Sequence, residues 1–443
     1  MQKAYRIVFE SYEKQKPQKT LTRTTIIEDA IEKPTSLLNL SMGHAKQISL
    51  LQGAGDCFLN EKLKLLEETR TCSDCQGKLN KLGKHTSTFH DVFTDHRVTM
   101  QRLKCTDCGK EEPSTIRTAF NGVESAELMK IQAELGAEHT FRESEKIFFK
   151  FSNGKRQINN HDRIKQTAEL VGETLDIIGK EEVEVMVAKP ASELILNVDG
   201  GHIKTTEDKR SIEAMTSVIY RPEALESNDK ETRNYISSKH CAASVKDDGG
   251  AQLITNTIVA ALKQGLTDKT HITALCDGAA NCWKVAEALR PLSGSMTCIL
   301  DWFHLAMKIQ NISLPEAHKE GLTSVKWHLW RGNVEKAQTS LSLLIAKVEE
   351  KHQDRLEKLF TYITNNKDRI VDYNARKEEG KVFTSNLAES TVESLINQRC
   401  KGHQHMRWSR EGLNPLLQLR AAMASNDWDS IWKTAVINAV KKA

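Results

Sequence analysis

The sequence lacks two features that would restrict its surroundings, a long apolar run and a strong net charge. No apolar segment approaches the roughly 20 residues that cross a bilayer, and the first residues have no apolar signal core. We therefore expect a cytoplasmic protein without a membrane partner, in which the ten cysteines stay reduced or bind metal. The net charge of +4 is mild, so any surface for an anionic polymer must be local.

The chain has 443 residues, which is too many for one compact core and suggests more than one domain. Its hydrophobic content of 39% and charged content of 28% are ordinary for a globular protein. The informative features are therefore motifs rather than overall composition.

Three apolar segments end in an aspartate. The apolar runs and the residues after them are 194–201 (LILNVDGG), 272–278 (ITALCDG) and 296–304 (MTCILDWFH). Their aspartates are Asp199, Asp277 and Asp301, and His304 lies three residues after the last. Each segment predicts a buried strand. A single acid here could be a turn residue or a helix cap, and His304 could be a buried core histidine. Because neighbouring strands present their ends together, the three acids could instead converge at one edge of a sheet.

Two CxxC pairs lie in the first third of the chain. Four thiolates at this spacing can complete a tetrahedral zinc site without an open position, and the alternating segment between the pairs predicts a β-hairpin. We expect a structural zinc ribbon rather than a redox dithiol pair, because no βαβ redox pattern surrounds the cysteines. Three histidines between the pairs are alternative ligands. The cysteines are Cys72, Cys75, Cys105 and Cys108, and the histidines are His85, His90 and His96.

Residues 124–180 have helical periodicity. Thr140 and Glu143 form a capping-box pattern at the start of the second helix, and a third helix is expected to begin near Asn159. Two short helices, a glycine turn and a basic third helix suit a helix-turn-helix that contacts DNA, although any three-helix linker would look similar. The basic residues that we expect to bind nucleic acid are Arg156, Arg163 and Lys165.

From residue 189 onwards, three strand-like runs precede alternating helices and strands. This order suits a mixed sheet flanked by helices, as in the ribonuclease H fold. Residues 305–368 are expected to be helical, with Trp327 and Trp330 in the core, and 376–380 to be a polar loop. A helix is expected over 386–399, and it carries Glu389 and Glu393 on one face about 6 Å apart along its axis.

Beyond that helix, residues 397–410 interleave basic, amide and aromatic side chains. Basic groups can neutralise phosphates and a tryptophan can stack on an unpaired base. The alternative is a solvated basic loop with Trp408 in the core. The residues expected to bind nucleic acid are Arg399, Lys401, Arg407, Trp408 and Arg410.

These motifs together resemble bacterial insertion-sequence transposases of the DDE class, specifically those of the ISKra type. The resemblance covers about residues 72–420. It rests on the two CxxC pairs, on the segments around Asp199, Asp277, Asp301 and His304, and on four further segments: 326–332 (KWHLWRG), 388–392 (AESTV), 406–408 (MRW) and 416–420 (LLQLR). The DWFH and ESTV segments taken together are the specific part of the match.

The resemblance implies an α/β fold, in which a ribonuclease H-like mixed sheet carries an all-helical insertion and follows a zinc ribbon and a helix-turn-helix-like region. With the resemblance and the local patterns together, the expected divisions are 1–68 (N-terminal helical or arm region), 69–122 (zinc ribbon), 123–188 (helical, helix-turn-helix-like DNA-binding region), 189–304 (first part of the catalytic core), 305–385 (helical insertion) and 386–443 (last core helix and C-terminal basic segment).

The implied activity is cleavage of DNA ends and strand transfer, by a cut-and-paste or copy-type pathway. Asp199, Asp277 and Glu389 would hold two Mg²⁺ or Mn²⁺ ions, with Asp301 and His304 as companions at the active site. Glu389 is preferred to Glu393 because it lies in the matching ESTV segment. The implied partners are double-stranded DNA, both element ends and target, and further copies of the chain, with nucleoid association when DNA is bound. The alternatives are a catalytically silent DNA-binding protein and a ribonuclease H-like nuclease that acts on other nucleic-acid structures.

Overall fold

A computed structural model describes residues 3–68, 70–152, 154–182, 189–228, 233–402 and 406–442. The chain divides into two compact units. Unit 1 consists of Met1–Val171 with Lys433–Ala443, and unit 2 consists of Gly172–Trp432. None of the helices in the described ranges combines the length and the apolar character needed to cross a membrane.

Unit 1 begins with strands and continues with helices. Its elements are β1 (Lys3–Glu13), β2 (Lys16–Ile31), α1 (His44–Glu68), β3 (Leu79–His90), β4 (Asp95–Cys105), β5 (Glu111–Glu112), α2 (Ile116–Phe120), α3 (Ala126–Glu138), α4 (Phe141–Phe151) and the first half of α5 (His161–Glu182).

Residues 3–31 form a long antiparallel hairpin, where a helical region or an arm was expected. In its register Ile7 pairs with Ile27 and Ser11 with Thr22. The β2 sequence is rich in threonine and isoleucine, whose branched side chains favour extended backbone. The helical part of the expected 1–68 region is α1.

The expected hairpin between the two CxxC pairs is present as β3 and β4, which pair from Leu79–Cys105 to His90–Asp95. The three expected helices after it are α3, α4 and α5. Thr140 caps α4 in the expected capping box with Glu143. The three helices pack around Leu128, Phe148 and Ile164.

Unit 2 contains a five-stranded sheet and the remaining helices. Its elements are β6 (Glu193–Lys204), β7 (Ser211–Tyr220), β8 (Leu225–Asn228), β9 (Arg233–Ile236), β10 (His240–Ser244), α6 (Ala251–Lys263), β11 (His271–Cys276), α7 (Ala280–Glu287), β12 (Ser295–Leu300), α8 (Trp302–Gln310), α9 (Glu316–Trp330), α10 (Val334–Ile345), α11 (Glu350–Asn365), α12 (Tyr373–Glu378), α13 (Asn386–Val392), α14 (Gln398–Cys400), α15 (Arg410–Ala424) and α16 (Trp428–Lys442), whose last residues belong to unit 1.

The strand order in this sheet is β10-β7-β6-β11-β12. The pairs β10–β7 and β7–β6 are antiparallel, whereas β6–β11 and β11–β12 are parallel. The sheet is therefore mixed, as expected for the α/β class. A single core joins the sheet to the helices between α6 and α12, with Leu196 and Ala274 on the sheet and Leu341 and Leu359 on the helices.

Two local predictions in the helical segment were wrong. Residues 376–380 were expected to be a loop, but 376–378 end α12, which Asp372 caps through the backbone N–H of Ala375. Trp327 was expected in the core but is 49% exposed, whereas its neighbour Trp330 packs against Tyr373 and Phe383. Helical periodicity alone did not identify which of the two tryptophans faces the core.

The helix expected over 386–399 is interrupted. After α13, Glu393–Asn397 forms one turn of π-helix, and α14 then ends the segment. Arg420 donates to the carbonyl oxygens of Ser394 and Leu395, the latter over 2.8 Å. This side chain therefore satisfies backbone acceptors at the irregular turn, which is the usual requirement where helical hydrogen bonding changes register.

Candidate functional site

Asp199, Asp277 and Asp301 occupy equivalent positions where the parallel pairing of three neighbouring strands ends, although β6 itself continues past Asp199 to Lys204 in its pairing with β7. In the register, Cys276 of β11 is opposite both Val198 of β6 and Leu300 of β12. Each acid follows one of these three residues. Since opposite residues on neighbouring strands project from the same face of a sheet, the three carboxyl groups are placed on one face and at one edge.

The environment of Asp199 reflects this grouping. Burial raises the pKa of its carboxyl group, the charge of His304 opposes the shift, and the carboxylates of Asp277 and Asp301 add to it. Its Oδ1 accepts a hydrogen bond of 2.8 Å from the backbone N–H of Gly200 and lies 3.9 Å from Nε2 of His304. A half-buried carboxyl group beside two others is an environment that a bound cation would stabilise.

Asp301 is only 1% exposed, and both of its carboxylate oxygens have partners. Oδ2 is 2.7 Å from Nδ1 of His304 and accepts from the backbone N–H of the same residue, as the N-cap of α8. Ser385 donates its backbone N–H to Oδ1 over 2.7 Å and its hydroxyl to Oδ2 over 2.8 Å. Asp301 therefore orients His304 and fixes the chain just before α13, which is a positioning role rather than that of an open ligand.

Asp277 begins a sharp turn. Its Oδ1 accepts from the backbone N–H of Ala279 over 2.8 Å, and Gly278 has a φ of +95°. Tyr362, from α11, donates its hydroxyl to the carbonyl oxygen of Asp277 over 2.6 Å. A Cβ on Gly278 would lie 2.7 Å from the Tyr362 ring, so glycine is required here both by conformation and by space. The helical segment after α8 thus supports the backbone of the second acid directly.

Glu389 lies within α13, which packs beside β7, but its side chain is outside the part of the chain that the structure describes. Glu393 begins the π turn, is exposed, and accepts a hydrogen bond from the side-chain amide of Asn397.

The expected basic segment divides into structural and exposed residues. Arg399 is 2% exposed and stacks on Trp408, which is buried and donates to the carbonyl oxygen of Cys400. Arg410 binds Glu207 and the carbonyl oxygen of Val245. Trp408 therefore lies in the core, as in the second of the two interpretations of residues 397–410, and is not exposed for stacking on a base.

Lys401 and Arg407 remain exposed. A Cβ on Gly201 would lie 3.4 Å from Nζ of Lys401 and 3.7 Å from Cδ1 of Ile396. Lys401 thus lies over the glycine pair that follows Asp199. Among the residues of 397–410 that were expected to bind nucleic acid, Lys401 is therefore placed near Asp199.

The basic residues expected at the three-helix region have carboxylate or carbonyl partners. The side chain of Arg156 is 9% exposed, and it binds Asp95 and the carbonyl oxygens of Asp91, Val92 and Thr94. Its observed role is to hold the turn between β3 and β4.

The other two members of that set are more accessible. Arg163 pairs with Glu124, and Lys165 lies 3.8 Å from Glu169, one helical turn away. Their side chains are 41% and 50% exposed. Both can therefore reach solvent, in contrast to Arg156.

In unit 1, the four expected cysteines come together. The Sγ atoms of Cys72 and Cys108 are 3.5 Å apart, and those of Cys75 and Cys105 are 3.4 Å apart. All four ligand atoms lie within 4.8 Å of one another, and no other group of three or more such side chains in the described ranges converges as closely. Two thiolates on one zinc are separated by about 3.8 Å when Zn–S is about 2.3 Å. This four-cysteine cluster could therefore bind a structural zinc ion.

The turns of the two CxxC pairs have the backbone that such a site requires. Gln76 and Gly109 both have a positive φ, 58° and 76°. The backbone N–H groups of Cys108 and Asp107 lower the pKa of the Cys105 thiol to about 7. The backbone N–H of Gly77 acts in the same direction on Cys75, but hydrogen bonds with the other three thiols outweigh it and raise the pKa of Cys75 to about 12. Donation to sulfur favours the thiolate, which is the form that binds metal. His90 and His96 instead pair with Asp95 and Asp56, so two of the three alternative histidine ligands have carboxylate partners.

Two residues that contribute to the site were missed in the sequence. Ser385 and Tyr362 contact the acids from positions far along the chain. Ser385 and Tyr362 lie in no motif, and only the fold brings them to the acids.

No protein-family model matches this chain, and no curated protein matches it.

Proposed function

We propose that this protein is a DDE-type transposase with a ribonuclease H-like core, which cleaves the DNA ends of an insertion sequence and joins them to a target in a reaction that depends on Mg²⁺ or Mn²⁺. The observation that carries the proposal is the shared register of Asp199, Asp277 and Asp301, each of which follows the last residue of the parallel pairing among three adjacent strands. The strand order, with two antiparallel pairs followed by two parallel pairs, supports the ribonuclease H-like assignment.

The residues fit hard divalent cations. Asp199 and Asp277 offer carboxylate oxygens that follow the parallel pairing of β6 and β11, and burial, together with the neighbouring carboxylates, raises the pKa of Asp199. Glu389 is the proposed third ligand. When bound, two such ions supply activation of an attacking oxygen and stabilisation of a leaving oxygen at phosphorus. Asp301 does not join this set, because its oxygens are engaged by His304 and Ser385.

The remaining side chains have roles in holding the substrate. His304 is held by Asp301 at Nδ1, which leaves Nε2 directed towards Asp199. We assign this nitrogen to the scissile phosphate or to a water molecule beside it. Lys401 lies over Gly201 and is the proposed contact for a neighbouring phosphate. Tyr362 and Ser385 keep the acids in place without contacting DNA.

Two other functions share part of this evidence. A nuclease that acts on RNA hybrids or DNA junctions would use the same acids, and a silent DNA-binding protein could retain the fold. The transposase is favoured because the four-cysteine cluster and the three packed helices form a separate unit suited to binding duplex DNA, and because the DWFH and ESTV segments resemble that class.

The test uses the purified full chain, a duplex that carries the element end, a target plasmid and Mg²⁺ or Mn²⁺. The wild type should cleave at the end and join it to target. Asp199→Asn and Asp277→Asn should each reduce cleavage by at least about a hundredfold while DNA affinity and melting temperature are retained, because the charge is lost and the shape is kept. Cleavage of hybrids or junctions without joining would support the nuclease instead. Binding without any cleavage would support the silent protein.

The third ligand is tested by a matched pair of substitutions. Glu389→Gln should abolish cleavage in the same assay, whereas Glu393→Gln, on the adjacent exposed turn, should keep at least about half of the activity. The reverse result would assign the third position to Glu393. Equal activity in both variants would remove this helix from the metal site.

A further inference from the structure

The tip of the β1–β2 hairpin, residues 12–21, carries a concentrated positive charge. Between Glu13 and Glu28 the chain has no acidic residue, and its four basic residues there are Lys14, Lys16, Lys19 and Arg23. Residues 14–21 are all exposed. The hairpin tip is therefore a local basic surface on a chain whose net charge is only +4.

Carboxylates of the hairpin neutralise only part of this charge. Lys19 lies 3.2 Å from Glu13, and the side chain of Lys19 is still 63% exposed. No ion pair to Lys14 or Lys16 occurs in the part of the chain that the structure describes. These lysines are therefore available to an anion outside the molecule.

The hairpin is attached to α1 below its tip. A Cβ on Gly53 of α1 would lie 2.5 Å from Cγ2 of Ile26, and Ser11 Oγ donates to Glu61 over 3.1 Å. Lys14 is three residues beyond Ser11, which in an extended strand is about 10 Å. The hairpin tip therefore projects from a fixed base as a two-stranded ribbon.

The hairpin tip is unsuited to pairing with a strand of another protein. Its register passes from the pair Tyr12–Thr20 to the pair Glu13–Lys16, so that β2 bulges between them. The bulge includes Pro17, which has no backbone N–H to donate. Bulges, prolines and lysines are features that prevent edge strands from adding to other sheets. Charge, rather than strand addition, is the feature that can recognise a partner.

We propose that the hairpin tip enters the major groove of duplex DNA, where Lys14, Lys16 and Lys19 contact backbone phosphates. The major groove of B-DNA is about 12 Å wide and about 8.5 Å deep, so it admits a two-stranded ribbon that projects about 10 Å, whereas the minor groove is only about 6 Å wide. Duplex RNA has a deep, narrow major groove that excludes such a ribbon. The inference rests on the proposed function for its partner, DNA, but requires neither metal nor cleavage.

The first test measures the affinity of the full chain for a labelled duplex by fluorescence anisotropy, over a range of KCl concentrations and without Mg²⁺ or Mn²⁺. The triple variant Lys14→Gln, Lys16→Gln, Lys19→Gln should bind at least about tenfold more weakly. The slope of log affinity against log salt concentration should fall by about 2 to 3, since each lost phosphate contact contributes about 0.9.

Arg6→Gln is the matched control for the triple variant. Arg6 lies at the opposite end of the same hairpin, where it pairs with Glu28 over 2.8 Å, so its removal should leave the affinity and the slope unchanged. An unchanged slope in the triple variant would overturn the proposal. A triple variant that aggregates while its soluble fraction binds DNA as the wild type does would assign the lysines to protection of the sheet edge, and would overturn it too.

The second test identifies the groove. Glucosylated 5-hydroxymethylcytosine fills the major groove with sugars, and netropsin occupies the minor groove. On glucosylated DNA the wild type and the triple variant should bind equally, because the ribbon is excluded in both. The difference of at least about tenfold should remain when netropsin is bound, and should be absent on duplex RNA of the same sequence. A difference that persists on glucosylated DNA or on RNA, or that netropsin abolishes, would overturn the major-groove assignment.

Failure of this inference can be distinguished from failure of the proposed function. Asp199→Asn should bind DNA with the same dependence on the three lysines as the wild type, since that carboxylate is not part of the hairpin. End cleavage by the wild type together with an unchanged salt slope in the triple variant would remove the hairpin contact and leave the transposase. A reduced slope without any cleavage by the wild type would leave the hairpin contact and remove the transposase.

Discussion

Asp95 lies at the turn between β3 and β4, where it binds His90 at 2.8 Å and Arg156 at 3.0 Å. Burial raises its pKa, but these hydrogen bonds outweigh burial and lower the pKa to about 2. Arg156 also closes the turn through three backbone carbonyls. Arg156, which the sequence suggested for DNA contact, thus stabilises the turn of the β3–β4 hairpin instead.

The lowered pKa makes a prediction about pH. The unfolded chain has an Asp pKa near 3.9, so the native state favours the carboxylate, and the stabilisation is fully present above about pH 4 and is lost as the pH falls towards 2. Asp95→Asn should therefore cost unit 1 roughly 1 kcal/mol at pH 6, a figure reduced because the side chain is 39% exposed, and clearly less at pH 3.

Thermal unfolding followed by circular dichroism measures this difference between the wild type and the Asp95→Asn variant at each pH. Asp354→Asn serves as the control, because its ion pair with Lys358 is on the surface and contributes little at any pH. A destabilisation by Asp95→Asn that is as large at pH 3 as at pH 6 would contradict the assignment.

The sequence predicted the positions of the acids well, for a physical reason. A buried strand appears in the sequence as an unbroken apolar run, so the shared register of Asp199, Asp277 and Asp301 followed from local pattern. The expected strand end at Asp199 was wrong, because β6 continues through the glycine pair to Lys204 in its pairing with β7. The sequence could not distinguish their roles. Asp301 differs from Asp199 because Ser385 and His304 occupy its oxygens. Ser385 is distant in the chain and lies in no motif.

At the scale of elements, predictions based on regular periodicity agreed with the structure, whereas irregular elements were missed. The hairpin between the cysteine pairs, the three helices after it and the strands around the acids follow the expected pattern. The π turn at Glu393 was read as continuous helix, because its residues have ordinary helical patterning and the register changes where Arg420 supplies donors. The hairpin β1–β2 was missed because its exposed polar residues obscure the alternation.

The four-cysteine cluster is an element whose stability we expect to depend on its ion. Purified protein should contain about one Zn²⁺ per chain, and Cys105→Ser should lose it, because three thiolates leave the tetrahedral shell incomplete. Elemental analysis measures the zinc. Hydrogen exchange should then show faster exchange at β3 and β4.

Cys57→Ser is the matched control for that experiment, since Cys57 is a cysteine on α1 of the same unit and outside the cluster. It should keep the zinc and the exchange protection. Wild-type protein without zinc, or a Cys105→Ser variant that retains a full equivalent, would rule out the zinc ribbon.

For the whole molecule, the distribution of aromatic residues provides a way to observe the units separately. The chain has seven tryptophans, and all of them, from Trp283 to Trp432, lie within unit 2. Tryptophan fluorescence therefore reports on unit 2, whereas zinc content and exchange at β3 and β4 report on unit 1. Substitutions of Asp95 or Cys105 should therefore change the zinc content or the hydrogen exchange at β3 and β4, and not the tryptophan fluorescence.

The net charge of the whole chain is only +4, so the proposed DNA binding would rely on a few exposed cations. Lys401 and Arg407 are exposed, and Lys401 lies over the glycine pair after Asp199. If each contacts one phosphate, Lys401→Ala and Arg407→Ala should each weaken binding and reduce the slope of log affinity against log salt concentration by about 0.9. Anisotropy of a labelled duplex over a range of KCl concentrations measures this slope.

Arg410→Ala is the matched control in this charge series. Arg410 binds Glu207 and the carbonyl oxygen of Val245, so its removal breaks contacts inside unit 2 and leaves partners unsatisfied. We therefore expect a lower melting temperature by tryptophan fluorescence and an unchanged salt slope, the opposite of the result for Lys401 and Arg407. If Arg410→Ala reduces the slope while the other two variants do not, the DNA path runs past Glu207 instead of over Gly201, and the phosphate contact proposed for Lys401 is wrong.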